Sequence, residues 1–397
     1  MESKILFSYL RVLRVLRGKK MKIAPVQIER SGPGIDLSNL PEGISVKMSD
    51  PVKDFKYARN AVTLVYDLSA YMNVRLSFEA MEYGDEPHAP PPNPFGDDVD
   101  FDGVAISVDG AAWYEVQDLR HLRSARFLGY DIDLDAAITQ WGLSYSAAFK
   151  VRFCQYDNNP APMDGVFLHR IELTAELRAP VFHLPMNDNA LSPTVHDTAP
   201  GGRDQVFIDP TGDPNTAAHS VPGPNGTTAL AFDGVDDRID FGPTLLGDLV
   251  GANRDFTLAF WYKAADPGSA TKYFFRRSGL SSEPLMRVSA AYNRFYWRVG
   301  WGSGYVDLVS STGMLNNQWR HIVCRRRGET LALWVDGTAH DTRTNSDYTK
   351  NLFGSSWNAR AIGQTYGTNL SDWPFAMADL RVYDRAIRDE EIVAMSE

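Results

Sequence analysis

Apolar and polar residues alternate with a period of two over much of this chain, and this alternation is the feature that most limits its fold. In the stretch "AVTLVYDLSAYMNVRLSFEAM" (61–81), Val62, Leu64 and Tyr66 fall on one side and Thr63 falls on the other. Successive side chains of a β-strand point to opposite faces of a sheet, so the stretch predicts a pair of half-buried strands. Similar runs recur at a spacing that is typical of antiparallel sandwiches, and the sequence therefore predicts an all-β protein.

Clusters of Gly, Pro, Asp and Asn separate these runs. Asp109-Gly110 and Asp336-Gly337 lie directly between two alternating runs, where an Asp-Gly pair supplies the positive φ angles of a tight hairpin turn. The stretch "ALAFDGVDDRIDFG" (229–242) places four aspartates between two apolar pieces, and we interpret most of them as turn residues that bond their own backbone. Only "DLDAAITQWGL" and "DEEIVAMSE" are typical of short helices inside the domains.

The length of 397 residues suits two domains of ordinary size, with a boundary at the proline of "LRAPVFHLP". The predicted organisation is a basic N-terminal arm over 1–40, a first β-sandwich over 41–178 and a second β-sandwich over 179–397. In the arm, Arg11, Arg14 and Arg17 recur every third residue. This spacing allows a helix with a basic stripe, and it interrupts the apolar run that a signal peptide or a transmembrane segment would need.

Charge and motif content argue against several functions. A net charge of −10 is unlike that of a nucleic-acid-binding protein, which needs a basic face. Cys154 and Cys324 stand in strand-like runs of different predicted domains, so we expect no disulfide between them. The sequence has no His-x-x-x-His pair, no Gly-x-Ser-x-Gly turn and no phosphate-binding loop motif, and we expect no enzyme of those classes.

The second half of the chain resembles the laminin-G-like, concanavalin A-like jelly-roll family over 181–396. The segments that carry the resemblance follow the family's order: "HLPMNDNA", "ALAFDGVDDRIDFG", "FTLAFWYK", "NNQWRHIVCRR", "LALWVDGT", "AIGQ" and "MADLRVYDRAIRDEEI". The first half, over 60–175, is similar to galactose-binding-like and MAM-like jelly-roll modules through "DGVAISVDGAAWYEV", "YDIDLDAAI", "FKVRFCQYDNNPAPMDGV" and "HRIELTA". The two resemblances imply two antiparallel jelly-roll sandwiches in tandem.

The resemblance of the second half also bears on catalysis and on metal binding. Relatives that hydrolyse glycans carry Glu-x-Asp-x-x-Glu on one strand, and this chain lacks that motif, so we predict that it is not an enzyme. Relatives often hold a calcium ion where the first strand meets the last. By resemblance, the ligands here are Asp379, Asp188 or Asn187, and a backbone carbonyl near Gly234. The alternative is a set of exposed turn aspartates without a metal.

A sugar-binding site requires an aromatic platform with polar neighbours. On "NRFYWRVGW", alternation puts Phe295, Trp297 and Val299 on one face, which we assign to the core. Tyr296 and Arg298 are left on the other face. Together with Trp334 they form a predicted patch for an acidic glycan or a protein edge, and an ordinary solvated strand face is the alternative.

These observations favour a non-catalytic recognition or adhesion protein that acts outside a cell and binds a glycan or a cell-surface polysaccharide. Two alternatives remain open. The first is a structural subunit of a virion, tail fibre or surface filament that self-associates through the N-terminal arm. The second is an accessory domain of a glycoside hydrolase or polysaccharide lyase.

Overall fold

The structure is a computed structural model. It describes residues 3–6, 21–22, 25, 27–31, 35–40, 43–48, 58–82, 89–97, 99, 101–120, 122, 126–157, 165–241, 245, 255–276, 287–301, 304–350, 361–363 and 373–397. The described residues from 3 to 178 belong to one compact unit, and those from 179 to 397 belong to a second. Both units consist mainly of antiparallel strands, so the predicted all-β class is confirmed.

The first unit contains two antiparallel sheets and one short helix, α1 (Leu134–Gln140). Its strands, in chain order, are β1 (Ser3–Leu6), β2 (Met21–Lys22), β3 (Gln27–Ser31), β4 (Ile35–Leu40), β5 (Gly43–Met48), β6 (Ala58–Tyr66), β7 (Tyr71–Glu82), β8 (Gly103–Ser107), β9 (Tyr114–Asp118), β10 (Leu128–Asp133), β11 (Phe149–Asp157) and β12 (Val166–Leu177). Over the described residues, one sheet has the order β1-β3-β6-β11-β8-β9 and the other has the order β10-β7-β12-β5-β4, with β2 paired to β12. The alternating residues Val62, Leu64 and Leu76 are fully buried in one apolar cluster, as their pattern predicts.

The predicted helical arm is wrong for the part of 1–40 that the structure describes. Ser3–Leu6 is a strand that pairs with β3, and β3 in turn pairs with β6, with Ile28 opposite Leu64. The physical reason is that β11 pairs with one side of β6, and the N–H and C=O groups on the other side of β6 need a partner, which the extended segment β3 supplies. Residues 7–20, with the three arginines, lie outside the described residues, and a role of the arm in self-association stays a prediction.

The second unit contains two larger antiparallel sheets and the helix α2 (Asp389–Ser396). Its strands are β13 (Phe182–Leu184), β14 (Thr194–Val195), β15 (Gln205–Ile208), β16 (Ser220–Pro222), β17 (Thr228–Phe232), β18 (Arg238–Asp240), β19 (Phe256–Lys263), β20 (Lys272–Arg276), β21 (Arg287–Ala291), β22 (Arg294–Trp301), β23 (Gly304–Val309), β24 (Arg320–Arg327), β25 (Thr330–Val335), β26 (Thr338–Thr344), β27 (Ala361–Gly363) and β28 (Phe375–Tyr383). In the described part, one sheet has the order β16-β17-β28-β19-β24-β25-β26, with β13 paired to β28. The other has the order β14-β15-β18-β27-β20-β21-β22-β23. One apolar cluster, which includes Phe260, Trp297 and Met377, joins the inner faces of the two sheets.

The predicted helices and the tight turn at Asp336-Gly337, where the φ angles are 49° and 73°, are confirmed. The tight turn predicted at Asp109-Gly110 is wrong: only Gly110 of the pair has a positive φ, of 84°, and residues 108–113 separate β8 from β9. The physical reason is that Asp109 Oδ1 accepts the N–H groups of Ala111 and Ala112 and so stabilises a wider connection. Helix α1 begins after Asp133, whose Oδ1 accepts the N–H of Ala136 at 3.0 Å. No helix in the described part of the chain is long and apolar enough to cross a bilayer.

Candidate functional site

Asp379 lies where the first and last strands of the second unit meet. It stands in β28 with a φ of 54°, next to a shift in the register between β28 and β19. Its Oδ1 lies 2.6 Å from His183 Nε2 and 2.9 Å from Arg381 Nε, and its Oδ2 lies 2.7 Å from Arg381 Nη2. The carboxylate therefore links β28 to β13 through the imidazole of His183, and it is also paired with the guanidinium of Arg381 on its own strand.

This environment does not fit the predicted calcium site. Burial by itself would raise the pKa of Asp379, but the hydrogen bond from His183 and the charge of Arg381 outweigh it and hold the pKa at about 2. Both carboxylate oxygens already accept hydrogen bonds from these groups, and a calcium ion would have to displace a guanidinium of like charge. The physical reason for the misfit is that the chain supplies its own cation at this position.

The other residues of the predicted calcium set have separate environments. Asp188 is half-buried and its Oδ1 accepts the N–H of His196 at 3.1 Å, while Asn187 is exposed. Among the described residues, two groups of three or more acidic or histidine side chains lie close enough to share an ion, and neither group includes Asp188 or Asp379. The Oδ2 atom of Asp188 is buried without a hydrogen-bond partner. The roles of Asp188, of Asn187 and of the Gly234 carbonyl as ligands are not tested by these contacts and stay predictions.

Thr198, His183 and Asp379 form a hydroxyl–imidazole–carboxylate chain, which raises the question of nucleophilic catalysis. The ionised carboxylate accepts from Nε2, so Nδ1 is the acceptor for the Thr198 hydroxyl at 2.6 Å. The N–H of Thr198 donates to the His183 carbonyl, and the N–H of Ala199 donates to Asp197 Oδ1. Because these two N–H groups are occupied, they cannot form an oxyanion hole beside the hydroxyl, and the chain of bonds serves to anchor the loop.

The turn between β17 and β18 brings acidic side chains together. Asp233 Oδ1 accepts the N–H groups of Val235 at 2.7 Å and Asp236 at 3.3 Å, so the predicted turn chemistry is confirmed for this residue. Asp237 Oδ2 accepts the N–H of Asp233 at 2.8 Å. The turn is therefore held by carboxylate bonds to its own backbone.

The same turn is packed closely against distant backbone segments. Gly234 has a φ of 81°, and a Cβ atom there would lie 2.4 Å from the backbone nitrogen of Trp373. On the other side, a Cβ atom on Gly363 would lie 2.2 Å from the carbonyl oxygen of Asp237. Because only glycine fits at these two positions, the backbone can close over the turn and bury part of its acidic cluster.

Two of these aspartates keep carboxylate oxygens that are buried without a hydrogen-bond partner. They are Oδ1 of Asp236 and Oδ1 of Asp237. The Asp237 side chain is only 1% exposed, and burial raises its pKa to about 6. His219 Nδ1 lies 3.5 Å from Asp237 Oδ2, and His219 Nε2 lies 3.3 Å from Asp209 Oδ2. Sequence reasoning missed Asp209 and His219, because no motif links them to the turn.

The predicted ligand residues Tyr296 and Arg298 lie on the outer face of the other sheet. Alternation along β22 puts Phe295 and Trp297 in the core, where both are fully buried, and leaves Tyr296 and Arg298 half-buried. The burial of alternate residues along β22 agrees with the alternation of apolar and polar residues in its sequence. Whether the outer residues bind a ligand stays a prediction.

Arg298 is held in place by two residues of the neighbouring strand β23. Its Nε donates to Asp307 Oδ1 at 2.6 Å, and its Nη2 donates to Asp307 Oδ2. The Cζ atom of Arg298 lies 3.9 Å from the centre of the Tyr305 ring, within the range of a cation–π contact. Tyr305 is 59% exposed, so this surface, which we call the Tyr305 face (Tyr296, Arg298, Tyr305 and Asp307), presents an accessible ring beside a paired charge.

Trp334 does not belong to this surface, and its prediction as a ligand residue is wrong. It is 9% exposed and packs in a separate buried cluster with Ile387 and Ile392. Arg325 lies over the indole at 5.2 Å and donates to Asp389 at 2.6 Å. Trp334 points outward from its strand, as the alternation requires, but the C-terminal segment covers that face of the sheet.

Comparison with known proteins supports the assignment of the second half. Residues 233–393 match the laminin-G-like family model, described as the concanavalin A-like lectin/glucanases superfamily, and the resemblance identified from the sequence is confirmed. A comparison with curated proteins found no match. The similarity of the first half to galactose-binding-like and MAM-like modules stays a prediction.

Solved structures show more distant likeness. The binding domain of Paraclostridial Mosquitocidal Protein 1 has a TM-score of 0.43 and 14% identity, with 55% of this chain and 52% of that chain covered. The receptor binding domain of botulinum neurotoxin C/D mosaic serotype has a TM-score of 0.40 and 11% identity, with 55% and 51% covered. The chain thus spans about half the length of these structures.

Proposed function

We propose that the second unit is a non-catalytic binding domain that recognises a saccharide outside a cell through the Tyr305 face. The observation that carries the proposal is the exposed Tyr305 ring, held against the Arg298–Asp307 pair. A sugar ring has an apolar face of C–H groups and a rim of hydroxyls. An aromatic ring packs against the C–H face of the sugar, and a fixed pair of polar side chains forms hydrogen bonds with its hydroxyl groups.

The pairing of Arg298 supports a neutral sugar instead of an acidic glycan. Asp307 forms two hydrogen bonds to the guanidinium, so the pair carries no net charge. An acidic sugar would have to compete with Asp307 for the guanidinium, whereas a neutral hydroxyl can donate to the carboxylate without breaking the pair. This refines the acidic ligand expected from the sequence.

A binding role in place of catalysis is consistent with the match to a superfamily that contains both lectins and glucanases. Glycoside hydrolysis uses two carboxyl groups that flank the bond to be cut. The Tyr305 face holds one carboxyl group, that of Asp307, and both of its oxygens accept hydrogen bonds from Arg298. The proposal therefore assigns the Tyr305 face to recognition.

The test is binding of the full chain to an array of neutral and sialylated glycans, followed by calorimetry on the best neutral ligand. Tyr305→Ala should weaken binding at least about fivefold, because an aromatic contact is worth about 1 kcal/mol beyond the buried area. Tyr305→Phe keeps the ring and should bind within about threefold of the wild type.

The matched control is Tyr292→Asn. Tyr292 is 62% exposed and has a φ of 52° in the hairpin turn between β21 and β22, a backbone region that asparagine tolerates. This variant removes a similarly exposed ring and should bind normally. Unchanged affinity of Tyr305→Ala, or capture of sialylated glycans alone, would refute the proposed site or its neutral ligand.

A further inference from the structure

We propose that the interior of the second unit holds a small monovalent anion, such as chloride, against the guanidinium group of Arg326. Arg326 lies in β24 and is 1% exposed. Alternation along β24 puts it on the same face of the strand as Ile322 and Cys324, which belong to the apolar cluster between the two sheets. The side chain therefore points into the sandwich, where a charged group is unfavourable unless another group compensates its charge.

The hydrogen bonds of Arg326 satisfy only one side of its guanidinium. Nη1 donates to the carbonyl oxygen of Tyr348 at 3.3 Å and to that of Lys350 at 3.2 Å. Nη2 is buried and has no acceptor in the described part of the chain. The two carbonyl groups carry no net charge, so the positive charge and the second nitrogen are both left for another group to compensate.

Arg326 differs in this respect from the other arginines that are buried in the second unit and in the first. Each of those has a carboxylate within ion-pair distance: Arg120 with Glu115 at 3.1 Å, Arg325 with Asp389 at 2.6 Å and Arg385 with Glu391 at 2.7 Å. Arg326 is the most deeply buried of the four, and no carboxylate among the described residues pairs with it. The fold therefore supplies a counter-charge wherever it buries an arginine, with this one exception among the residues described.

The surroundings of Arg326 disfavour its charge without removing it. Burial lowers the pKa of Arg326 from 12.5 to about 10, and the negative charge of Asp255 offsets the effect of burial only in part. Asp255 is half-buried, and its Oδ1 accepts the N–H of Gly328 at 2.6 Å. At pH 7 the guanidinium is still protonated, so the interior carries a positive charge that an anion would compensate.

A second donor without an acceptor contacts the same aromatic ring as Arg326. The Cζ atom of Arg326 lies 5.4 Å from the centre of the Phe256 ring. Trp297, on the opposite sheet, packs edge-on against Phe256 with ring centres 6.2 Å apart, and its Nε1 is buried with no acceptor among the residues that the structure describes. The surroundings of Phe256 thus favour an acceptor with a negative charge. A water molecule could accept a hydrogen bond there, but it would leave the charge uncompensated.

The charge and the donors favour a monovalent anion. A single negative charge balances the one guanidinium, whereas phosphate or sulfate would bring an excess of negative charge into the interior. Several oxygens of a phosphate or sulfate would also need donors, and the buried nitrogens without acceptors at this place are Nη2 of Arg326 and Nε1 of Trp297 among the described residues. Chloride is compact and accepts hydrogen bonds from any direction.

The experiment uses the full chain in a chloride-free buffer that contains sodium gluconate. Sodium chloride or sodium bromide then replaces the gluconate at constant ionic strength, so that the screening of surface charges does not change. Gluconate is too large for a buried site of this kind, whereas both halides are compact. A halide that binds only the folded state at about ten times its Kd should raise the melting temperature of a unit of this size by about 3 to 6 °C.

The decisive variant is Arg326→Met, which keeps a long apolar side chain and removes the charge. It should lose the halide-dependent shift, and in gluconate it should melt at or above the wild type, because the cost of an uncompensated buried charge is removed. The matched control is Arg325→Met at the preceding residue of the same strand. Arg325 already has Asp389 as its partner, so this variant should melt below the wild type in both salts and keep the full halide shift.

Crystals of the wild type soaked in sodium bromide give a test that depends on no variant. The anomalous signal of bromide should show an ion beside Arg326 Nη2. If Arg326→Met does not fold, the soaked crystals decide the question alone.

Three outcomes would overturn the inference. The first is a wild-type melting curve that does not move when chloride replaces gluconate. The second is a halide shift that Arg326→Met retains, since this would place the halide elsewhere. The third is the absence of bromide beside Arg326 in the soaked crystals, which would mean that the guanidinium acts only as a donor to the carbonyl groups of Tyr348 and Lys350.

Discussion

The ion pair at Asp379 gives a quantitative prediction for Asp379→Asn. Asparagine is close in size and tolerates the φ of 54° at this position, so the substitution removes the charge and little else. The carboxylate lies between His183 and Arg381 and its pKa falls from 3.8 to about 2. A lowered pKa in the folded state means that ionisation of this group favours folding.

The size and the pH range follow from that shift. A difference of nearly two pKa units corresponds to about 2 kcal/mol of unfolding free energy at pH 7, since one unit is worth about 1.4 kcal/mol. The contribution is complete above the unfolded-state pKa of 3.8 and is lost as the pH falls through the folded-state pKa of about 2. About half of it should remain at pH 3, where the unfolded state has taken up a proton and the folded state has not.

Urea denaturation of wild type and Asp379→Asn at pH 7, 5, 4 and 3 provides the assay. We expect a difference of about 2 kcal/mol at pH 7 that shrinks to about half at pH 3, with or without chelator. The control is Asp347→Asn, which removes an exposed ion pair with Lys350 and should cost less than about 1 kcal/mol. A difference that stays constant over this pH range, or that disappears in chelator, would refute the ion-pair reasoning.

Two further predictions concern the packing of the second unit. Trp334→Ala should lower the unfolding free energy by about 3 to 5 kcal/mol in urea denaturation, because it empties a buried indole site under α2. The affinity for glycan should not change. A loss of unfolding free energy below about 1 kcal/mol would argue against the burial of the indole. Gly234→Ala should cost about 2 kcal/mol more than Gly201→Ala in the same assay. Both glycines have a positive φ, of 81° and 77°, but only at 234 would the new Cβ meet backbone atoms, so equal costs would argue against the close approach to Trp373.

The strand pattern of the fold could be predicted from the sequence because it depends on local alternation. The burial of Val62 and Leu64 in the first unit, and of Phe295 and Trp297 in the second, follows from period two alone. The hairpin at Asp336 likewise follows from the conformations that an Asp-Gly pair prefers. The strand Ser3–Leu6 could not be predicted, because its pairing with β3 depends on a neighbour that local periodicity does not identify.

The candidate sites were harder to predict, because they depend on what covers a face. Alternation correctly put Tyr296 and Trp334 on the outer faces of their strands, but only Tyr296 remains at the surface. Trp334 is covered by α2, and the sequence of a short helix does not say which sheet the helix packs against. The position of Tyr305 beside Arg298 was missed because this contact depends on the register between β22 and β23.

The carboxylates show the same dependence on distant partners. Asp379 was expected to bind calcium because of its position at the closing strands, yet Arg381 two residues along supplies a positive charge there, and His183 on β13 is within hydrogen-bond distance of the same carboxylate. Asp237 was read as a turn residue, yet the approach of Gly363 and Trp373 closes the backbone over that turn and helps to bury its neighbourhood. A carboxylate that is buried beside a guanidinium keeps its charge compensated within the protein. The charge around each aspartate therefore depends on which basic groups the fold brings beside it: Arg381 beside Asp379, and His219 and Arg238 at the 233–237 turn.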